Sequence, residues 1–216
     1  ALVVNSGNAN ACTGGQGEAD VRAMAERVAH QIAVPADQVL VCSTGVIGVP
    51  LPMQKVLEGI DACIAQMDRT LEAADSAAEA ILTTDTFTTT VAVAVELGGG
   101  TVKIGGMAKG SGMIHPDMAT MLSFMTTDAS LSAEDLQCLL GSTVQDSYNM
   151  ISVDGDTSTN DTVLVFANGA ADASPIRPGS EEYRLFSEAF QYVHTELAKK
   201  IVLDGEGAGK FIEVAV

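Results

Sequence analysis

The apolar residues of this chain change their spacing after residue 82, and this change limits the folds available to it. Before that point they recur at helical intervals in three segments, residues 15–33, 52–67 and 71–82. After it, residues 87–97 and 101–108 are rich in threonine and valine, and three glycines join them. Such a pair of segments predicts a β-hairpin. The chain therefore combines helices with sheet.

Further segments of both kinds follow along the chain. Strands are predicted at residues 39–42, 120–126, 162–167 and 211–216, and helices at residues 132–148 and from residue 180 onward. The strand at 39–42 is expected to run into a turn at Ser43, Thr44 and Gly45. Helix pairs that alternate with strand pairs predict an α/β fold, a layered sandwich with central mixed or antiparallel sheets and outer helices.

Charge and cysteine spacing narrow the functional classes. The net charge is −17 with only 11 lysines and arginines, a surface that repels nucleic acids and anionic membranes. No apolar run is long enough for a membrane span, and no leader segment is visible. The four cysteines are widely spaced, which argues against a zinc site and favours buried, reduced thiols in a cytoplasmic protein.

A glycine-rich segment that begins at Lys109 leads through a proline to Thr120. By residue type alone, Thr120 is an ordinary strand threonine. Cleavage of the bond between Ala119 and Thr120, however, would give Thr120 a free α-amino group beside its own hydroxyl, so that one residue supplies both base and nucleophile. Gly110 and Gly112 provide the backbone freedom that such a self-cleaving turn requires.

The motif Lys-Gly-Ser-Gly-Met-Ile at residues 109–114, followed by Ala119 and Thr120, resembles the self-cleavage site of the ornithine acetyltransferase (glutamate N-acetyltransferase) family. Additional segments resemble the same family in the same order: residues 5–11, 43–48, 84–86, 152–161 and 204–208. Each match is weak alone, but their ordered combination over nearly the whole chain is specific. The resemblance implies a self-cleaving fold with an N-terminal nucleophile.

The family's functional residues carry over to matching positions. The resemblance implies that Thr120 is the nucleophile, that Thr44 and Gly45 form the oxyanion hole, and that Thr86, Lys109, Thr120 and Glu206 contact substrate. Without the resemblance, a glycine turn at Thr44-Gly45, a solvated Lys109 and a solvated Glu206 are the simpler interpretations.

The resemblance also implies a domain organisation. Residues 1–119 would form the C-terminal part of an α chain, and residues 120–216 the N-terminal part of a β chain, both within a longer protein. The two chains would assemble as an α2β2 heterotetramer.

The activity implied by the resemblance is acetyl transfer from N2-acetyl-L-ornithine to L-glutamate in arginine biosynthesis, by a ping-pong mechanism through an acetyl-threonine. No metal or organic cofactor is expected, although acetyl-coenzyme A is an alternative acetyl donor. Two other functions remain open: a self-cleaving aminopeptidase or amidase that passes the acyl group to water, and a non-catalytic acidic module that binds a small molecule. A chain that never cleaves would favour the last.

Two nearby features are assigned structural roles. His115 and Asp117 precede Thr120 closely, and cleavage would free their segment, so neither is expected to serve as its base. The acidic run at residues 154–161 has the alternating oxygens of a calcium loop but lacks its glycine at the sixth position and its closing glutamate. It is predicted to be a hydrogen-bonded turn near the active site.

Overall fold

The chain divides close to the point where its hydrophobic spacing changes. The computed structural model describes residues 1–115 and 121–215, and it forms two compact units, Ala1–Thr83 and Thr84–Val216. The predicted division between residues 119 and 120 differs from this one, because it marks a peptide bond expected to be cleaved and not a boundary between packed units. Ala119 and Thr120 lie outside the described residues, so that division stays a prediction.

The first unit pairs two parallel strands and packs helices against one another. Its elements in chain order are β1 (Leu2–Asn8), α1 (Gly14–Ile32), β2 (Leu40–Val46), α2 (Met53–Ala65) and α3 (Leu71–Ala80). β1 and β2 pair in parallel, because the crossover through α1 returns the chain in the same direction. The apolar faces of α1 and α2 enclose a small core that includes Met24, Val28 and Ile60. All three predicted helices are confirmed within about three residues at each end.

The second unit is built on a mixed sheet. Its elements are β3 (Thr89–Leu97), β4 (Gly100–Lys109), β5 (Leu122–Thr127), α4 (Ala133–Gln145), β6 (Thr162–Ala167) and α5 (Glu181–Leu203). The strand order is β3-β4-β5-β6, with the first three antiparallel and β6 parallel to β5. The hairpin of β3 and β4 turns at the predicted glycines, and the predicted α/β fold with a mixed sheet is confirmed.

Helix α5 supplies most of the apolar surface that covers β3 and β4. It begins after Ser180, whose hydroxyl accepts the Tyr183 N–H at 3.1 Å. Its inward stripe is at most 1% exposed and consists of Phe186, Phe190, Val193, Leu197 and Ile201. Burying one such side chain contributes about 1.5–3 kcal/mol, so this stripe is a major source of the unit's stability.

Several expectations about local structure are wrong. Residues 211–215 form no strand, and Ile212 and Val214 are more than 70% exposed. Apolar composition alone cannot form a strand, because a strand also needs a neighbour for its backbone hydrogen bonds, and these residues pair with none of the described strands. β2 extends to Val46 instead of turning at residue 43. The predicted burial of the cysteines holds for Cys42 alone, since Cys12, Cys63 and Cys138 are exposed.

The described residues include no helix that is both long enough and apolar enough to cross a membrane.

A buried polar chain lies within the apolar core of the second unit. The Ser123 and Tyr148 hydroxyl oxygens are 2.8 Å apart, and His194 Nδ1 lies 3.1 Å from the Tyr148 hydroxyl. All three side chains are at most 1% exposed. Burial lowers the pKa of His194 to about 3 and raises the pKa of Tyr148 above its ordinary value. His194, which lies in α5, is thus a neutral residue of the core.

Protonation of the unfolded chain at His194 should make stability fall in mild acid. The unfolded histidine takes up a proton below about pH 6.5, whereas the folded one stays neutral until about pH 3. The free energy of unfolding should therefore drop by roughly 1–2 kcal/mol between pH 6.5 and pH 5 from this group alone. Urea unfolding of His194→Gln, which cannot titrate, should show a flatter pH dependence. His30→Gln, at an exposed position, is the control. Equal pH slopes for wild type and His194→Gln would contradict the assignment.

Candidate active site

Three segments of the second unit that carry predicted site residues meet in the fold. They are residues 84–86 before β3, residues 109–112 at the end of β4, and residues 204–206 after α5, and together they are called the junction below. The Thr84 and Ser111 hydroxyl oxygens are 2.6 Å apart. The Glu206 N–H donates to the Ser111 carbonyl at 2.7 Å. Tertiary packing thus joins three of the sequence motifs that are far apart along the chain.

Lys109 forms a buried ion pair within the junction. Its Nζ lies 3.3 Å from Asp85 Oδ2, and both side chains are 2% exposed. Asp85 Oδ1 also accepts the Gly110 N–H at 2.5 Å, so one carboxylate holds the side chain and the backbone of consecutive residues. The solvated interpretation of Lys109 is wrong, whereas its contact with substrate stays a prediction. Asp85 lies within the family-like motif at residues 84–86, and the resemblance implied no role for it.

Thr86 and Glu206 lie at the exposed side of the junction. The backbone and the side chain of Thr86 both donate to Asp204. The Thr86 N–H donates to Oδ2 at 2.8 Å, and the Thr86 hydroxyl donates to Oδ1. Asp204 itself is 7% exposed and ends α5. Glu206 is exposed, and a Cβ built on Gly112 would lie 2.8 Å from Glu206 Oε2. Glycine at position 112 therefore provides space for this carboxylate, in addition to any effect on backbone freedom.

The acidic run anchors the chain on both sides of the predicted cleavage segment. Asp154 accepts the N–H groups of Met113 and Ile114 at 2.6 and 3.0 Å. Asp161 accepts the Met121 N–H at 2.8 Å, and the Met121 carbonyl accepts the Thr162 N–H at 3.1 Å. The segment is held by hydrogen bonds, as predicted, and the Asp156 N–H donates to Asp154 Oδ1 at 3.1 Å, whereas its place near an active site stays a prediction. Its carboxylates bind backbone N–H groups on either side of residues 116–120, at Met113 and Ile114 before them and at Met121 after them.

The two anchoring carboxylates differ in acidity. Burial acts to raise the pKa of Asp154, but the N–H groups of Asp156, Met113 and Ile114 outweigh it and lower that pKa below its ordinary value. Burial raises the pKa of Asp161 to about 6, and the hydrogen bond from the Met121 N–H opposes this only in part. Asp154 is therefore ionised at neutral pH, whereas the pKa of Asp161 lies closer to neutral pH.

Thr44 and Gly45 lie in β2 of the first unit. The motif at residues 43–45 pairs in register with residues 5–7 of β1, so that two of the family-like motifs are neighbouring strands. Thr44 is 1% exposed. Gly45 has φ +126°, and a Cβ there would come within 2.3 Å of the Gly7 backbone. Close strand approach therefore requires this glycine, and a plain glycine turn is ruled out. The oxyanion role of Thr44 and Gly45 stays a prediction.

The predicted cleavage segment also contains His115, Ala119 and Thr120. Ala119 and Thr120 lie outside the described residues, so the structure reports no geometry for the nucleophile or the scissile bond. His115 is exposed, and its Nδ1 lies 3.5 Å from the Ser152 hydroxyl, a long contact at the margin of a hydrogen bond. Within residues 1–115 and 121–215, no group of three or more His, Cys, Asp or Glu side chains is arranged to hold a metal ion.

Removing one member of the buried pair should be costly. Asp85→Asn leaves the Lys109 ammonium buried without its carboxylate, which typically lowers the free energy of unfolding by about 3–5 kcal/mol. Glu18→Gln, which breaks the exposed pair with Arg22, should change it by less than about 1 kcal/mol. Urea unfolding of both variants measures the difference. Similar small losses for the two variants would show that the Asp85 carboxylate is not needed to stabilise Lys109.

Comparison with known proteins identifies the family. Residues 1–216 match the model of the ArgJ family. Proteins named "arginine biosynthesis bifunctional protein ArgJ" from Caldanaerobacter subterraneus and Symbiobacterium thermophilum are 54% and 56% identical over the whole chain.

The chain spans about half of these relatives, 53% of each. A crystal structure of the protein of that name from Bacillus halodurans is 47% identical, with a TM-score of 0.50, over 55% of this chain and 61% of that one. The chain therefore belongs to the ArgJ family.

Proposed function

We propose that the full-length protein is an acetyltransferase of arginine biosynthesis that moves the acetyl group of N2-acetyl-L-ornithine to L-glutamate. The observation that carries the proposal is the match of the ArgJ family model over residues 1–216, together with similar proteins that are named for arginine biosynthesis. The Ala119-Thr120 pair in the sequence, and the junction that gathers Thr86, Lys109 and Glu206, support it.

The reaction begins with self-cleavage. The Thr120 hydroxyl attacks the Ala119 carbonyl carbon, the peptide nitrogen leaves as the α-amine of Thr120, and water then hydrolyses the resulting ester. The new α-amine has a reference pKa of about 7.7–8.0, so near neutral pH it can take the proton of its own hydroxyl. Anchored chain on both sides of residues 116–120 favours this step, because fixed ends lower the entropy cost of bringing the hydroxyl to the carbonyl.

Acetyl transfer then follows in two halves. The Thr120 oxygen attacks the acetyl carbon of N-acetylornithine, the C–N bond breaks, and ornithine leaves with the proton on its α-amine. Glutamate binds next, its α-amine attacks the acetyl-threonine ester, and the Thr120 hydroxyl is restored. Each half passes through a tetrahedral oxyanion, for which Thr44 and Gly45 are the proposed donors. The chemistry requires no metal or organic cofactor.

The substrate contacts follow from the charges of the proposed residues. Lys109 is the proposed partner of the substrate carboxylate, and Glu206 that of an amino group, which together would hold an amino acid at both ends. Asp85 fixes the Lys109 ammonium in place before substrate arrives. The word "bifunctional" in the relatives' names supports a second activity, for which acetyl-coenzyme A is the proposed acetyl donor. An α2β2 assembly in the cytoplasm is part of the same proposal.

The threonine mechanism makes a direct prediction for the full-length protein. Wild-type protein should consist of two chains, the second beginning at Thr120, and N-acetylornithine should add the mass of one acetyl group to that chain. Thr120→Ala should stay one chain and lose acetyl transfer by roughly 10³-fold or more. Thr126→Ala, at an exposed position of β5, should cleave and react normally.

Mass spectrometry and an acetyl-transfer assay distinguish this mechanism from the alternatives. Release of acetate without transfer to glutamate would indicate the amidase. An intact chain with full transferase activity would be incompatible with the threonine mechanism. An intact chain with no activity would favour the non-catalytic module.

A further inference from the structure

The hydrogen bonds of Thr86 restrict what its hydroxyl can offer a ligand. A threonine hydroxyl has one proton to donate and two lone pairs with which to accept. The Thr86 hydroxyl donates that proton to Asp204 Oδ1, while the Thr86 N–H donates to Asp204 Oδ2. Both carboxylate oxygens thus act on the same residue. With its proton committed inward, the Thr86 oxygen can only accept a hydrogen bond from the exposed side.

Asp204 is held in a position to impose this orientation. It ends α5, and its N–H donates to the Lys200 and Ile201 carbonyls at 3.2 Å. The buried apolar stripe of α5 fixes the helix against β3 and β4, so the carboxylate is carried by a rigid element. Its 7% exposure leaves little room for another arrangement. The polarity of Thr86 is therefore set by the fold, before any ligand binds.

We infer that Asp204 is a positioning residue that makes Thr86 an acceptor for an N–H group, so that the exposed side of the junction receives an ammonium or amide nitrogen of an amino acid and not its carboxylate. The inference rests on the proposed function, which places an amino-acid substrate at Thr86. The substrate carboxylate then binds another residue. Lys109, the cationic residue of the junction, is the partner proposed for it.

The charges of the junction agree with this assignment. Asp85, Asp204 and Glu206 contribute three carboxyl groups, against the single ammonium of Lys109. Asp85 already pairs with that ammonium at 3.3 Å. Glu206 lies two residues after Asp204 and is exposed, and its own N–H donates to the Ser111 carbonyl. A carboxylate ligand beside Glu206 would be repelled, whereas an ammonium beside Glu206 and the Thr86 oxygen would be attracted.

Three variants of the full-length protein test the inference by ligand binding. Thr86→Val keeps the shape and the backbone N–H but removes the acceptor oxygen, and Thr86→Ser restores it. Asp204→Asn should reverse the hydroxyl: the amide oxygen must accept the Thr86 N–H, so the amide NH2 faces the Thr86 oxygen and the hydroxyl proton turns outward. Thr88→Val, at an exposed threonine two residues away, is the matched control.

The probes are L-ornithine, L-norvaline, which lacks the side-chain amine, and 5-aminopentanoate, which lacks the α-amine. Calorimetric titration without an acetyl donor measures binding free of turnover. Thr86→Val and Asp204→Asn should each weaken L-ornithine about 10-fold or more, as expected for losing a hydrogen bond to a charged group. Thr86→Ser and Thr88→Val should bind as wild type does. An equal loss for L-norvaline identifies the α-nitrogen as the donor, and an equal loss for 5-aminopentanoate identifies the side-chain ammonium.

The double variant separates positioning from simple damage to the fold. If Asp204 acts through the Thr86 hydroxyl, adding Asp204→Asn to Thr86→Val should weaken L-ornithine little further, so the two effects are not additive. Additive losses, or unchanged affinity for all three probes in folded Thr86→Val, would overturn the inference. Self-cleavage is measured separately by mass spectrometry, so failure of the threonine mechanism and failure of this binding assignment give different results.

Discussion

The apolar stripe of α5 buried against β3 and β4 is the packing interaction on which the second unit depends. It fixes the helix axis and therefore the position of every polar residue that α5 carries. His194 is held within the core at a 4.5 Å ring distance from Phe190, and Asp204 is delivered to Thr86 at the end of the helix. The hydrophobic stripe thus both stabilises the fold and determines where the junction forms.

Carboxylates in the second unit repeatedly bind backbone N–H groups of loops. Asp85 binds Gly110, Asp154 binds Met113 and Ile114, Asp161 binds Met121, and Asp204 binds Thr86. A backbone N–H in a loop lacks the ladder partner that a strand or helix provides, and a carboxylate replaces it with a strong charge-assisted bond. Part of the chain's acidity therefore has a structural purpose, beyond the solubility that composition alone would suggest.

Similar groups in this network differ because their surroundings differ. Burial dominates at Asp161 despite the Met121 N–H, whereas backbone N–H groups, including those of Asp156, Met113 and Ile114, outweigh burial at Asp154, so the pKa values of the two carboxyls shift in opposite directions. The sign of the Asp161 shift means that ionisation costs the folded state stability above about pH 4, a cost reduced by partial solvent exposure. Asp161 therefore accepts the Met121 N–H at a cost in stability that Asp154 does not carry.

The sequence by itself determined most of the secondary structure and the family. Helical spacing located α1, α2, α3 and α5, and the glycines at 98–100 located the hairpin, because these signals depend on residues close together in the chain. Motifs that occur in the family's order between residues 5 and 208 were enough to predict the family, and the family model matches residues 1–216. The local sequence pattern gave wrong predictions at residues 211–215 and at Gly45. At both places the backbone structure depends on whether another strand lies alongside.

Only the tertiary structure decided how the motif residues are used. Asp85 and Lys109 are 24 positions apart, and Thr86 and Asp204 are 118 apart. No periodicity links such positions, since their contact depends on how β4 and α5 pack. The sequence could supply the residue types of the junction. Long-range packing decides which lysine is paired, which hydroxyl donates to a carboxylate, and which glycine leaves space for a glutamate. The reason is that hydrogen-bond geometry and desolvation exist only once distant segments meet.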